Sequence, residues 1–209
     1  MLRSTCIGLA AACLAGPALA DVIIDTGPPN GGMMGYYGFD LLSTQSVAVA
    51  FTPGQDYRLD GIGMWIMSND FDNAGRQYTV TLRTDAEGGM TIPGGTIIES
   101  WTVATDAIGW SPVLDSLVSA LNPVLSAGQT YWIVAESAEP PGGNPVWVAG
   151  AQDELVWHSV QNAMNPNGEW ISGWGNGVPA MVVSGTVVPA PGALACLAFG
   201  LTAGARRRR

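Results

Sequence analysis

Apolar and polar residues alternate through much of this chain. Val47, Val49 and Phe51 recur at every second position within Gln45 to Thr52, and Pro53-Gly54 ends that segment. Ile62, Met64 and Ile66 do the same within Tyr57 to Met67. Tyr78, Val80 and Leu82 alternate with Thr79, Thr81 and Arg83 across Gln77 to Arg83. A period of two is the signature of an antiparallel strand with one buried face. Thr130 to Ala135 (TYWIVA) is apolar throughout and predicts a strand buried on both faces. Val22 to Asp25, Thr96 to Val103, Val146 to Ala149, Glu154 to His158 and Ala180 to Val188 bring the total to roughly nine short strands. Trp132 and Trp147 lie inside apolar strands and are expected in the core. Pro28 to Gly38 (PPNGGMMGYYG) reads as a glycine-rich loop, and Ser116 to Leu121 as a single helical turn. The expected fold class is all-β, a β-sandwich or jelly roll.

The two ends break this pattern. Residues 1–20 read as a signal peptide: Arg3, an apolar run from Cys6 to Ala15, and the small-x-small site Ala18-Leu19-Ala20, with cleavage before Asp21. A lipid-modified Cys13 after Ala10-Ala11-Ala12 is the alternative for this end. At the other end, the apolar segment 193–205 (ALACLAFGLTAGA) is followed by Arg206, Arg207, Arg208 and Arg209. It is shorter than the ~20 residues of a relaxed membrane-spanning helix. Its arginines would stay on the cytoplasmic side and leave the preceding domain outside. It would act either as a weak anchor or as a sorting signal that is later cut. A single domain, 21–187, remains between the ends, followed by a tail, 188–209.

Charge and cysteine sort in the same way. Cys6, Cys13 and Cys196 all fall in the terminal segments, so the middle has no disulfide and must rely on its core. Between the ends only Arg58, Arg76 and Arg83 stand against all seventeen acids, a balance of −14. Such a surface repels nucleic acid and anionic lipid.

Val188-Pro189-Ala190-Pro191-Gly192, then the apolar segment, then the four arginines, resembles a PEP-CTERM sorting signal, with Ala190 where glutamate is usual. The resemblance implies export by the secretion machinery and recognition of the tail by a membrane protease-transpeptidase, an exosortase. The protein would then be transferred to the cell envelope or released, often in bacteria that make extracellular polysaccharide. The two prolines suit this, because they keep the motif extended ahead of the helix. The middle is similar to the choice-of-anchor β-sandwich domains found upstream of such tails. The similarity rests on 45–53 (QSVAVAFTP), 82–85 (LRTD), 125–132 (LSAGQTYW) and 179–187 (PAMVVSGTV). It implies fold and location rather than chemistry.

Catalytic signals are sparse. His158 is the lone histidine, no Gly-x-Ser-x-Gly elbow occurs, and no zinc set can be assembled from one histidine without mature cysteines. Pairs of carboxylates for glycoside hydrolysis stay open, since their spacing in space is not written in the sequence. No organic cofactor is expected. Asn69-Asp70-Phe71-Asp72-Asn73 offers Asp70, Asp72 and Asn73 as calcium ligands, against the simpler reading of a solvated turn. Of the eight tryptophans, Trp170 and Trp174 sit in the loop-like stretch 168–175, with Trp157 nearby in sequence. Loop aromatics beside amides and carboxylates are the elements of a sugar-binding platform; closing one end of the sandwich is the competing role. The sequence therefore points to an exported, non-enzymatic β-sandwich of the bacterial surface or extracellular matrix. Its alternative is a module that binds extracellular polysaccharide.

Overall fold

The computed structural model describes residues 20–32, 35–86, 92–151, 158–162, 169–172 and 177–189, and these are all-β. The first strands are β1 (Asp21–Asp25), β2 (Gly31–Gly32), β3 (Gly35–Tyr36) and β4 (Gly38–Asp40). The longest follow: β5 (Gln45–Phe51), β6 (Tyr57–Ser68), β7 (Arg76–Asp85) and β8 (Pro93–Thr105). Then come β9 (Val113–Val118), β10 (Val124–Leu125), β11 (Tyr131–Glu136) and β12 (Pro145–Val148). Last are β13 (His158–Asn162), β14 (Ile171–Ser172) and β15 (Met181–Val187).

One sheet of seven strands runs β1-β15-β6-β12-β4, with β9 and β10 also paired to β6. A second, of six, runs β14-β13-β5-β11-β7-β8, while β2 and β3 form a small hairpin of their own. The two large sheets share one core. Val47, Val49, Phe51, Tyr78, Val80, Leu82 and Ile133 from the second meet Ile62, Met64, Ile66, Trp147, Met181 and Val183 from the first in a single buried cluster. The alternating residues of β5, β6 and β7 thus face inward as their period predicts. Burying each of these larger side chains contributes about 1.5–3 kcal/mol. β11 is buried on both faces. Tyr131, Ile133 and Ala135 enter the main core, and Trp132 and Val134 enter a small cluster on the outer side with Ala48 and Ala50.

Register sorts the loops into two poles. Arg76 pairs with Thr105, Ile66 with Val113, and Ser68 with Pro145. The connections 69–75, 106–112 and 137–144 therefore gather at one pole. Asp21 pairs with Gly185, Val187 with Tyr57, and Tyr131 with Phe51. The start of β1, the end of β15 and the turn after β5 thus lie at the opposite pole.

Two local expectations are corrected. Residues 28–38 are not a plain loop, because they hold the β2–β3 hairpin and the start of β4. Glycine carries no side-chain pattern, yet it is required here: a Cβ on Gly38 would sit on the backbone carbonyl of Trp147, its neighbour strand. The helical turn expected at Ser116 to Leu121 is instead the end of β9, paired antiparallel to β6, and the turn that follows it. β9 does alternate, with Leu117 buried, but its outward residues Leu114 and Val118 are apolar too and hide the period. Of the strand expected at Glu154 to His158, Glu154 to Trp157 lie outside the described residues, and the described strand runs from His158 to Asn162. The terminal segments 1–19 and 190–209, including Ala18, Ala190, Pro191, Gly192 and Arg206 to Arg209, also lie outside them. Among the described residues no helix is long and apolar enough to cross a membrane.

Candidate functional site

The chemistry-bearing side chains concentrate at the pole formed by 69–75, 106–112 and 137–144. Asp70 organises the first of these loops. Its Oδ1 accepts the backbone N–H groups of Asp72 at 2.9 Å and Asn73 at 3.0 Å, an Asx-type turn. Its Oδ2 accepts from Arg76 Nε at 2.9 Å and also from Arg76 Nη2. The Asp72 amide, the Arg76 guanidinium and the Asn73 amide together hold the Asp70 carboxyl down from 3.8 to about 2. Arg76 is held charged in turn, first by its bond to Asp70, and its Nη1 reaches Glu139 Oε2 at 3.4 Å.

An amide network lies beside this ion cluster. Asn69 Nδ2 donates to Asp40 Oδ1 at 2.8 Å and to Asn144 Oδ1 at 3.1 Å, and Asn144 Nδ2 donates to the same Asp40 oxygen at 2.9 Å. Asn69 Oδ1 accepts the indole N–H of Trp110 at 3.1 Å. Trp110 stands edge-on to Phe71, with ring centroids 5.5 Å apart. These rings are 57% and 62% exposed, so the contact is displayed on the surface. Phe71 also rests on Gly109, whose φ of +58° and lack of a side chain let the ring approach.

A shallow cleft of about 560 Å³ adjoins this pole on the outer face of the second sheet, lined by Gln77, Thr79, Thr102, Glu136, Ser137 and Glu139 among others. Both of its carboxylates meet arginines: Glu136 bonds Arg83 at 2.9 Å, and Glu139 meets Arg76. Tyr78 contributes to the cleft from β7, but its side chain turns inward into the core and donates its hydroxyl to Asp115 at 2.8 Å. Burial raises the Asp115 carboxyl and the nearby Asp106 adds to this, against the hydroxyls of Tyr78 and Thr105. The Tyr78 hydroxyl is raised as well, by burial and by Asp115.

These two aspartates should respond to acid in opposite senses. Asp115, raised in the fold, contributes stability that is complete below its unfolded pKa and is lost as pH rises through the folded value. Asp70, depressed to about 2, contributes stability that is present above its unfolded pKa and is lost as pH falls from about 4 towards 2. Acidification should therefore raise the melting temperature slightly as Asp115 takes up its proton, and lower it below about pH 4, where Asp70 begins to lose its charge. Asp115→Asn should flatten the first limb and Asp70→Asn the second. A profile that Asp70→Asn leaves unaltered below pH 4 would refute the assignment of that limb.

The residues expected to carry chemistry are dispersed. Of the calcium candidates, Asp70 spends both carboxylate oxygens on the turn and on Arg76, so a cation there would have to displace a guanidinium. Asp72 and Asn73 point outward and give only their backbone N–H groups to Asp70. Among the described residues no group of three or more histidines, cysteines or acids could hold a metal ion. Trp170 is half-buried and packs on Ala48, Ala50, Trp132 and Val134, on the outer face of the second sheet. Trp157 and Trp174 lie outside the described residues. The backbone of His158 pairs with Val49 in the sheet. Ala20 and Asp21 begin the described domain, while Val188 and Pro189 end it: the Val188 N–H donates to Asp56 O at 2.9 Å, and Pro189 is exposed.

Phe71 and Trp110 are poorly marked in the sequence, because each stands alone in its own short turn whereas Trp170 and Trp174 share one glycine-rich stretch. The available signal was a large aromatic set among turn residues, in Asn69-Asp70-Phe71-Asp72-Asn73 and in Ile108-Gly109-Trp110-Ser111-Pro112. Searches for relatives found no matching protein-family model and no matching curated protein.

Proposed function

We propose that this chain is an exported, non-enzymatic β-sandwich protein of the bacterial envelope or extracellular matrix, with processing sites at one pole and its functional loops at the other. The observation that carries this reading is the placement of the two ends. Asp21, the residue after the proposed signal cleavage, pairs with Gly185, and Val188, the first residue of the sorting motif, is tied to Asp56 at that same pole. Pro189, the last described residue, is exposed, and the two prolines of the motif favour an extended segment that a processing enzyme could reach. While anchored by the tail, the domain would present the loops 69–75, 106–112 and 137–144 away from the membrane.

Two sheets around one core, with no cysteine between residues 21 and 189, suit a protein built to stand outside the cell on packing alone. Intact mass of the protein recovered from its own host tests the reading. The expected species runs from Asp21 to near Pro189. A mass that keeps Arg206 to Arg209 would end the case for tail processing, and one that keeps residues 1–20 would end the case for export through a cleaved signal peptide.

A further inference from the structure

Beyond display, we infer that the loop pole carries a binding site for a neutral polysaccharide, built on Phe71 and Trp110. The inference does not depend on how the tail is processed. Single exposed apolar side chains are ordinary, but two large rings in mutual contact, both more than half exposed, are not explained by folding.

The rings are also held in place. The Ser68 N–H donates to Gly109 O at 2.8 Å, and the Gly109 N–H donates to Asp70 O at 2.7 Å, so the loops that carry them are laced by backbone bonds. Asn69 Oδ1 fixes the indole N–H, and the Asp40–Asn144–Asn69 network fixes Asn69. A pre-ordered aromatic surface binds without losing loop entropy at the moment of contact.

The surrounding groups decide the ligand class. Aromatic faces stack on the apolar face of a sugar ring, and neighbouring polar groups order its hydroxyls. Asp72 and Asn73 follow Phe71 directly in the same loop, and their exposed side chains make no bond among the described residues. Both are suited to hydroxyl groups. Arg76, the nearest cation among the described residues, is occupied by Asp70 and Glu139. Asp40, Asp72 and Asp106 leave the pole acidic, which disfavours uronate or sulfate chains. The aromatic surface is open, a shape for a polymer segment rather than an enclosed small molecule.

The test uses the full chain purified in mild detergent. It is run through native gels containing dextran, mixed-linkage β-glucan or galactomannan, with alginate as the anionic comparison, and is pulled down on cellulose and chitin. Retention is expected on at least one neutral glycan and not on alginate. Trp110→Ala and Phe71→Ala should each weaken it at least about tenfold, the equivalent of about 1.4 kcal/mol. Asn73→Ala, which removes no packing, should weaken it a few-fold, and Trp170→Ala should leave it unchanged. Each variant's thermal unfolding separates lost contact from lost fold. Absence of retention on every neutral glycan would overturn the inference. So would retention that survives the Phe71→Ala/Trp110→Ala double change, or a preference for alginate.

Discussion

Trp147→Ala is expected to lower the unfolding free energy by about 3–5 kcal/mol, a large share of the ~5–15 kcal/mol that a domain of this size holds. Trp147 is fully buried on β12, between Phe39 of β4 and Ile66 of β6 in register. Its side chain faces the shared core, while Val146 and Val148 face the other side of the sheet. Its indole N–H donates to Ala180 O at 3.0 Å. That carbonyl also accepts the Trp65 N–H at 3.1 Å, so it keeps one partner after the change. The loss is therefore mainly a cavity between the sheets, and relaxation can fill little of it. Gly38 lies on the adjacent strand with its backbone already against Trp147, which limits how far β4 can move inward. Urea denaturation should show a lower midpoint with an unchanged slope. Trp170→Ala, on a half-buried ring outside the main core, should cost about 1 kcal/mol at most. Equal losses for the two variants would mean that the central core is not where the sheets meet.

The contrast between these tryptophans shows how far the sequence could be read. Trp132 and Trp147 sit in apolar runs, which mark strands buried on both faces: Trp147 enters the core between the sheets and Trp132 the small cluster on the outer side. The strands of Val47/Val49/Phe51, Ile62/Met64/Ile66 and Tyr78/Val80/Leu82 were legible for the related reason that alternation assigns a face. Strands made of glycine carry no such mark, so β2, β3 and the start of β4 have the composition of a loop. β9 was obscured by apolar residues on its exposed face. The candidate site was harder still. Phe71 and Trp110 are distant in sequence and meet only because Arg76–Thr105 and Ile66–Val113 pairing brings two loops to the same pole. The Asp70 turn showed the oxygen-rich composition of a cation loop. What the composition left out was that Arg76, a few residues on, takes up the charge.

Glu99→Ala should be the second severe change, at about 3 kcal/mol, because it strips a buried acceptor from several donors at once. Glu99 is 5% exposed on β8 and pairs with Leu82 in register, so its side chain lies on the inward side of the second sheet. No cation meets it among the described residues. Instead its Oε2 accepts the Ser119 hydroxyl at 2.7 Å, and its Oε1 accepts the N–H groups of Ala120 at 2.7 Å and Leu121 at 3.2 Å. These residues form the turn from β9 to β10, both of which pair with β6 in the opposite sheet. The carboxylate therefore clamps the two sheets together at their edge. The turn depends on it further. Ser119 Oγ also accepts the Asn122 N–H at 2.9 Å, and Asn122, at a φ of +44°, donates its side-chain amide to Leu59 O at 3.0 Å. Glu99→Gln keeps one acceptor oxygen for the two backbone N–H groups and can turn its amide towards the Ser119 oxygen. It should cost only about 1 kcal/mol. Denaturation of the two variants at neutral pH, with hydrogen exchange at Ala120 and Leu121, reads the difference. A loss below 1 kcal/mol for Glu99→Ala, or equal losses for alanine and glutamine, would mean that the turn holds its place without the clamp.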